Sequence, residues 1–353
     1  MNAPLDMTIR ARLVDFASPQ TAARIEGFVR EQGGSVFHLP QWLRAVERAT
    51  GHRAAGLITE QMGAITGWLP LTEVRSLLFG RALVSSGFGV GGGVLAESAD
   101  ASVVLARAAQ GHAKRYGFAS VELRGGVVPS GWQRIEDKHC GFERALAADD
   151  EAELLAIPRK ARAEVRKGLK NDLEVRVGRD TQDINAHYRV YAESVRNLGT
   201  PVFPKSLFRS MLAAFPDTSD ILTISRNGEP ISSVFSFYHN GAVLPFWGGG
   251  TFAARGARAN ELMYYELMLH ARRKGAERFD FGRSKTGSGP FKFKKNWGFE
   301  PQPLTYGVWT VPGEEARDVD PTSAGYARKI AIWQKLPLAI ANRAGPLIAR
   351  DLA

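Results

Sequence analysis

The residues with the clearest chemical potential lie between Phe279 and Phe299, where the sequence reads FDFGRSKTGSGPFKFKKNWGF. Glycines interrupt this segment, and aromatic residues alternate with its charged ones. A basic, glycine-containing loop that follows a strand is a common place for an anionic ligand. We therefore expect an anion site here, with the aromatic side chains fixing the loop. The segment contains one acid, Asp280, and five basic residues: Arg283, Lys285, Lys292, Lys294 and Lys295.

Two parts of this segment form a recognisable pattern. Asp280 opens the motif DFGRSK at the end of a predicted strand, and residues 293–299 read FKKNWGF. The combination resembles the last conserved part of the FemABX family and of its FemAB-like relatives in PEP-CTERM (exosortase) exopolysaccharide systems. The resemblance implies an α/β fold with mixed sheets, built from two GNAT-like acyltransferase domains in tandem.

The resemblance also implies an activity. Proteins of this type form an amide between an activated acyl or aminoacyl group and an amine, here one on a cell-envelope or exopolysaccharide precursor. Lys294 matches the lysine of the family's FK motif, the family's candidate for stabilising the tetrahedral oxyanion. Asp280 would orient a lysine or accept a proton. Arg283, Ser284 and Lys285 would position phosphate or carbonyl groups.

The resemblance also separates neighbouring lysines. Lys294 should project into the cleft near Lys285, with Trp297 and Phe293 buried as its anchors, whereas Lys295 is expected to face solvent.

Two further places are candidate substrate contacts. Trp247 and Gly248 end a predicted strand in the sequence WGGG, where glycines permit a ligand or a neighbouring backbone to approach closely. His38 and Trp42, in FHLPQW, stand where Fem-like proteins begin the first helix of the substrate domain. For the glycines a strand bulge is the alternative, and for His38 a capping or core position.

The segment before the predicted helix at residue 260, for which Asn260 is the expected N-cap, bears on the acyl donor. An acetyl-CoA enzyme carries R/Q-x-x-G-x-G/A there, because backbone amides at the helix start hold the pyrophosphate. Residues 253–258 read AARGAR, so both ends of that signature fail. Arg255 and Arg258 remain candidates for another phosphate. The departure favours the aminoacyl-tRNA donor of the Fem type, with an acyl thioester as the alternative, and no other cofactor is expected.

The densest basic run is residues 158–170, PRKARAEVRKGLK. A helix there places Ala161, Val165 and Leu169 on one side, and beside it a cationic stripe of Arg162, Arg166 and Lys170. The stripe is either a rail for the phosphates of tRNA or a solvated helix face. A non-catalytic basic module that binds nucleic acid or anionic lipid is therefore a third functional hypothesis.

Overall composition limits the partners and the compartment. The chain has 353 residues, a net charge of +10 and a pI of about 9.8, which favours an anionic partner such as tRNA or a nucleotide- or lipid-linked precursor. One cysteine, Cys140, excludes an intrachain disulfide framework, and no CxxC or HExxH motif suggests zinc. No long apolar run is present, so we expect a cytoplasmic protein, with peripheral contact at the inner face of the membrane as an addition. Oligomeric state is not predicted.

The order of predicted elements indicates a duplication. Helix, glycine and strand recur at an offset of 158 residues (113–123 and 271–281), and two predicted hairpins recur at an offset of 166 (57–71 and 223–237). We predict one GNAT-like domain at 1–147, a second at 148–312, and a basic amphipathic tail at 313–353. An acidic, alanine-rich linker is expected at 147–153.

The tail has two alternative roles. Residues 321–353 alternate apolar and basic side chains, and Pro337 and Pro346 should break them into short helices. The tail either lies on a membrane that carries lipid-linked precursors or packs on the body of the protein.

Overall fold

The computed structural model describes residues 9–317 and 326–353, which fall into two compact units. Of the described residues, unit 1 comprises 9–137, 304–317 and 350–353, and unit 2 comprises 138–303 and 326–349. These units differ from the predicted domain ranges 1–147 and 148–312, because a strand near each predicted boundary joins a sheet that the sequence order does not suggest.

The elements of unit 1 that precede residue 137 alternate helices with a long hairpin. A 3₁₀ turn, Val36–His38, follows the first helix. In chain order the elements are β1 (Arg10–Leu13), α1 (Pro19–Glu31), α2 (Pro40–Thr50), β2 (Arg53–Gln61), β3 (Ala64–Ser76), β4 (Gly80–Ser85), β5 (Leu95–Ala96), α3 (Ala99–Tyr116), β6 (Ser120–Arg124) and β7 (Gln133–Ile135).

Unit 2 repeats this order after one strand and two helices. Its elements up to residue 303 are β8 (His139–Ala145), α4 (Asp150–Ala156), α5 (Arg159–Lys170), β9 (Glu174–Gly178), α6 (Thr181–Asn197), α7 (Lys205–Ala214), β10 (Ser219–Arg226), β11 (Glu229–His239), β12 (Ala242–Gly250), α8 (Phe252–Ala257), α9 (Ala259–Arg273), β13 (Arg278–Asp280), β14 (Ser284–Lys285), α10 (Gly289–Asn296) and β15 (Pro301–Pro303). Then follow β16 (Tyr306–Thr310), α11 (Tyr326–Lys335) and α12 (Leu338–Ala349).

The two sheets have the same plan. Unit 1 is ordered β1-β2-β3-β4-β6-β16-β7 with β5 beside β3, and unit 2 is ordered β9-β10-β11-β12-β13-β8-β14 with β15 beside β8. In each, a parallel pair, β4–β6 or β12–β13, is flanked by antiparallel neighbours. The predicted hairpins and helix–glycine–strand segments occupy equivalent places in the two sheets. The predicted α/β fold with tandem GNAT-like units is confirmed.

The boundaries of the two units differ from the predicted domain boundaries because two strands pair with strands that are distant in the sequence. β8 lies antiparallel to β13, with Ala145 opposite Arg278, and therefore belongs to unit 2. β16 lies between β6 and β7 and therefore belongs to unit 1. The expected linker at 147–153 also contains the start of α4, where buried Glu153 accepts a hydrogen bond from the Ala147 amide and pairs with Arg144.

The ends of α3 follow local signals, whereas the start of α9 does not. The Ser98 side chain caps α3 and Gly117 ends it in the left-handed conformation, as those residue types predict. The prediction that Asn260 caps α9 is wrong. Arg258 is the N-cap, with φ of 58°, and Asn260 lies inside the helix, where its Oδ1 accepts a hydrogen bond from Ser232 Oγ at 2.6 Å.

The tail helices α11 and α12 pack beside α6 within unit 2. Arg196 on α6 donates a hydrogen bond to the Gln334 carbonyl at 3.1 Å. Pro337 separates the two helices as predicted, but Pro346 lies inside α12, because a proline removes one helical hydrogen bond without always ending the helix. Among the described residues, no helix is long and apolar enough to cross a membrane.

Candidate functional site

The two parallel strands of unit 2 separate soon after they meet. β12 and β13 pair at Ala242 with Arg278 and at Val243 with Phe279, and no later pair between them is found in the described part of the chain. β13 ends at Asp280, whereas β12 continues to Gly250. The far half of β12 therefore presents backbone groups that β13 does not use. An unpaired strand edge of this kind can bind an extended ligand chain.

Tyr264 of α9 lies between the separated strands. Its hydroxyl oxygen is 3.4 Å from where a Cβ at Gly248 would stand, and its ring packs against Phe281 and Phe293 at centroid distances of 4.7 and 5.8 Å. Burial raises the pKa of Tyr264 to about 12, so its hydroxyl is a neutral proton donor near pH 7. The sequence did not predict this residue, because nothing in the sequence of α9 distinguishes Tyr264 from its neighbour Tyr265.

The glycines of WGGG are required for packing. A Cβ at Gly248 would lie 3.0 Å from Val234, and Cβ atoms at Gly249 and Gly250 would overlap the side chains of Ser194 and Asn260. Trp247 is buried among Phe208 and Phe235, with ring centroids at 5.3 and 5.4 Å. Gly248 thus borders the gap, whereas Trp247 supports the strand from the core.

Lys294 points into the protein at the end of β13. Its side chain is buried, and Nζ donates hydrogen bonds to the carbonyl oxygens of Gly282 at 3.1 Å and Arg283 at 3.2 Å. The rings of Phe142 and Phe281 lie 5.4 and 5.3 Å from Nζ. Burial lowers the pKa of Lys294 to about 8, against the opposing effect of the Asp280 charge. Two of the three N–H donors are used by described residues, and one remains.

Helical spacing separates Lys294 from its neighbours. α10 opens at Ser288, whose side chain accepts from the Phe291 amide, and turns about 100° per residue. Lys294 and Trp297, three apart, are therefore both buried, whereas Lys295 is exposed, as predicted. Phe293, predicted to be a buried anchor, is half-buried.

The other predicted residues of this loop differ in burial and in their contacts. Asp280 accepts a hydrogen bond from the Gly282 amide at 2.9 Å, and burial together with the nearby Glu143 charge raises its pKa above the usual range. Ser284 is buried and pairs with Cys140 in β8, and its Oγ has no hydrogen-bond partner among the described residues. Arg283 and Lys285 are half-buried.

A carboxylate lies at the start of each of the two helices that follow β12. The Phe252 amide at the start of α8 donates to the Glu193 carboxylate at 2.9 Å. At the start of α9, the Arg258 guanidinium pairs with Glu164 at 2.6 Å. Arg255 is exposed and lies over the ring of Phe252 at 5.5 Å. Of the two predicted phosphate contacts, Arg255 is therefore the more accessible.

α5 presents a basic face to solvent. Ala161, Val165 and Gly168 are buried, and a Cβ at Gly168 would lie 3.1 Å from Leu262 of α9. Leu169, predicted on the apolar side, is 46% exposed, because the close approach of α9 centres on the glycine one position earlier. The exposed basic residues of α5 are Arg159, Lys160, Arg166, Lys167 and Lys170.

In unit 1, His38 and Trp42 hold the glycine-rich loop at residues 87–93. His38 Nδ1 accepts from the Ser35 amide at 3.0 Å, so Nε2 carries the proton and donates to the Gly93 carbonyl at 3.1 Å. Trp42 Nε1 donates to the Gly87 carbonyl at 2.9 Å. Both side chains are buried, which makes the capping and core interpretation of His38 the simpler one.

Comparisons with known proteins agree with this architecture. Residues 158–295, inside unit 2, match the family model described as the Acetyltransferase (GNAT) domain. The fold is similar to the crystal structure of FemX, at 14% identity and a TM-score of 0.65, over 83% of this chain and 96% of that one. A search of curated proteins by sequence gives no significant match.

Two further solved structures have the same arrangement. One is a tandem GNAT protein from the clavulanic acid biosynthesis pathway, at 11% identity and a TM-score of 0.56, over 86% of this chain and 98% of that one. The other is the C-terminal domain of a candidate lysylphosphatidylglycerol synthetase from Agrobacterium fabrum, at 13% identity and a TM-score of 0.55, over 82% and 92%. At these identities the similarity establishes the tandem GNAT fold, an acyltransferase fold.

Proposed function

We propose that this protein is a FemAB-like N-acyltransferase that transfers an aminoacyl group to an amine of a cell-envelope or exopolysaccharide precursor. The observation that carries the proposal is the buried Lys294. Its Nζ binds carbonyl oxygens of the segment that follows β13, and one of its N–H groups is used by no described residue. The side chain is buried among aromatic rings, where a positive charge acts strongly. Such a charge suits an oxyanion that develops during acyl transfer.

The residues after β12 support an aminoacyl ester over acyl-CoA as the donor. CoA enzymes of this fold hold a pyrophosphate on free amides at the helix start. Here Glu193 occupies the first amide of α8, and a carboxylate repels a pyrophosphate. The next helix opens with Arg258 in the left-handed conformation, bound to Glu164. Both carboxylates weigh against a pyrophosphate at these helix starts.

The basic face of α5 supports tRNA as the carrier of the aminoacyl group. Its exposed arginines and lysines, with Arg255 and Lys295 on neighbouring elements, give unit 2 a set of cations for a phosphate backbone. One of the similar structures belongs to a protein named as a lysylphosphatidylglycerol synthetase, and the lysyl group in that name is an aminoacyl group. Both points agree with an aminoacyl donor.

The proposed chemistry needs no covalent intermediate on the protein. The amine nitrogen adds to the ester carbonyl carbon, and the charge on the carbonyl oxygen is stabilised by Lys294. The C–O bond then breaks as the amide forms. Asp280, whose pKa is raised, accepts the proton that the amine loses, and the Tyr264 hydroxyl donates one to the leaving oxygen. Gly248 leaves room for the ligand beside Tyr264.

An acyl-CoA-dependent N-acyltransferase is the second candidate. It is favoured by the match to the GNAT acetyltransferase model and by the similar clavulanic acid pathway protein, whose description refers to acetyl-CoA. In that case the thioester would enter the same gap beside Gly248, and the phosphates of CoA would bind away from the Glu193 and Glu164 carboxylates.

Donor competition tests the proposal. The protein is incubated with a bacterial amine-bearing envelope fraction and either tRNA charged with radiolabelled amino acids or labelled acetyl-CoA. We expect label from tRNA in an alkali-stable amide, at a rate that Lys294→Ala lowers and Lys295→Ala leaves unchanged. Transfer from acetyl-CoA alone would move the assignment to the second candidate. No transfer from either donor, with tRNA bound by filter assay, would support a binding module instead.

Peripheral membrane contact remains part of the proposal for the tail. Ile332, Ile340 and Leu347 of α11 and α12 are each more than half exposed, although these helices pack beside α6. Flotation with anionic liposomes, with and without residues 321–353, measures this contact. Equal flotation of both forms would remove the membrane role.

A further inference from the structure

Unit 1 contains a polar cavity of about 470 Å³ at the end where the hairpin β2–β3 opens. Its walls come from the turn after α2, from the paired ends of β2 and β3, and from the residues after α12. None of the catalytic or substrate-binding residues discussed above lines it. The lining residues with charged or titratable side chains are His52, Arg53, Glu73, Arg75, Arg350 and Asp351.

The strand register explains why these charges converge. Arg53 of β2 is directly opposite Glu73 of β3, so both side chains leave the same face of the sheet. Arg75 is two residues beyond Glu73 and returns to that face. Its guanidinium carbon lies 4.4 Å above the ring of Phe118, which fixes the side chain. Arg350 joins them from the chain segment after α12.

The three guanidinium groups are near carboxylates but are not hydrogen-bonded to them. Arg53 is 3.9 Å and Arg75 3.5 Å from Glu73, and Arg350 Nε is 3.6 Å from Asp351. No side-chain hydrogen bond of these arginines is found within residues 9–317 and 326–353. All three side chains are between 44% and 72% exposed. Their planar N–H forks therefore remain available to a ligand.

The two carboxylates are occupied from the other side. Glu73 is buried and accepts a hydrogen bond from His112 Nε2 at 2.9 Å. Asp351 accepts from Ser76 Oγ at 2.7 Å and lies 3.2 Å from His52 Nε2. Glu73 and Asp351 thus lie close to the three arginines, but two negative charges do not neutralise three positive ones. Because three arginines face two carboxylates, the excess charge in the cavity is positive.

We propose that this cavity binds a phosphoryl group of a small molecule. A phosphate presents several oxygens, and each guanidinium fork can hold two of them in parallel. Three arginines against two carboxylates leave a surplus that favours a multiply charged anion over a single carboxylate. The volume fits a ligand of nucleotide size. The proposal concerns unit 1 alone and does not depend on the acyl donor bound by unit 2.

Calorimetry with inorganic pyrophosphate and with ADP, at constant ionic strength, tests the proposal. We expect binding to the full-length protein that weakens about tenfold or more in Arg53→Ala and in Arg350→Ala, since each loses charged hydrogen bonds. Arg107→Ala, an exposed arginine of α3 outside the cavity, is the matched control and should bind normally. Arg166→Ala of α5 is a second control, which excludes binding on that basic face.

Three results decide the outcome. Loss of binding in the cavity variants alone supports the site. No binding of either probe, or equal binding by the cavity variants and the wild type, overturns it. Vesicles containing phosphatidate are a separate arm: flotation that depends on Arg53 and Arg350 supports the phosphoryl chemistry with a lipid as its source. Thermal melting of each variant confirms that the fold is intact.

Discussion

Replacing Lys294 by methionine separates its role in the reaction from its role in stability. Burial lowers the pKa of Lys294 from 10.5 to about 8, which corresponds to a cost of about 3 kcal/mol for the charged form. Methionine removes that cost but leaves the carbonyls of Gly282 and Arg283 without their donor, at about 1–3 kcal/mol each. The terms nearly cancel, so the free energy of unfolding at pH 7 should change by only about 1 kcal/mol.

The same substitution predicts a pH dependence with a definite sign. Between pH 8 and 10.5 the folded protein has lost the Lys294 proton while the unfolded chain retains it, so the stability of the wild type rises with pH. Methionine has no such proton. Relative to Lys294→Met, the wild type should therefore gain about 2 kcal/mol between pH 7 and 9.5. Urea unfolding at both pH values measures it, and an unchanged difference would refute the pKa argument.

Turnover gives the second readout. Loss of an oxyanion donor lowers the rate about a hundredfold or more, so Lys294→Met should be nearly inactive in the tRNA transfer assay while remaining folded. Lys294→Ala should in addition lose about 2 kcal/mol of stability, because it removes the buried methylene groups of the side chain. Lys295→Ala should match the wild type in both assays. Normal turnover by Lys294→Met would show that the lysine is structural.

Two other predictions concern packing and burial. Gly93→Ala should lower the free energy of unfolding by about 1–3 kcal/mol, because a Cβ at this position overlaps the Gly125 carbonyl. Gly91→Ala is the control: a Cβ there has no atom within 4 Å, so the melting temperature should change little. Equal effects of the two substitutions would contradict the packing of this loop. Burial lowers the pKa of His187 to about 3, so only the unfolded chain gains this proton below pH 6.5, and stability should fall by about 1.4 kcal/mol per pH unit as pH decreases towards 3. His187→Phe should lack this dependence. Urea unfolding at pH 7 and pH 5 measures the difference in unfolding free energy between the wild type and this variant, and a difference that is the same at both pH values would contradict the burial of the histidine.

Features of the fold that depend on nearby residues, such as helix ends, could be predicted from the sequence. The ends of α3 follow from its own sequence, because the Ser98 cap, the Gly117 turn residue and the apolar spacing are all contained in that segment. The different environments of Lys294 and Lys295 followed from helical spacing to Trp297. The strands β8 and β16 were missed because their partners lie more than a hundred residues away in the sequence.

The site was only partly predictable for the same reason. The carbonyl partners of Lys294 and the position of Tyr264 depend on how α9 packs beside α10, which no motif encodes. The cavity of unit 1 takes Arg350 and Asp351 from the far end of the chain. His38 and Trp42 were found as special residues, but their polar atoms bind backbone carbonyls of a loop about fifty residues later.

The placement of β16 has a consequence for biosynthesis. β7 pairs with β16, and β16 lies between β7 and β6, so the first sheet stays incomplete until Tyr306–Thr310 leave the ribosome. At about 5–20 residues per second, the roughly 170 residues after Ile135 require about 10–35 s. During that interval β6 has an open edge, which is a template for misassociation between nascent chains. A chain shortened after residue 303 would keep that edge permanently, and would be expected to aggregate rather than fold as a free-standing first unit.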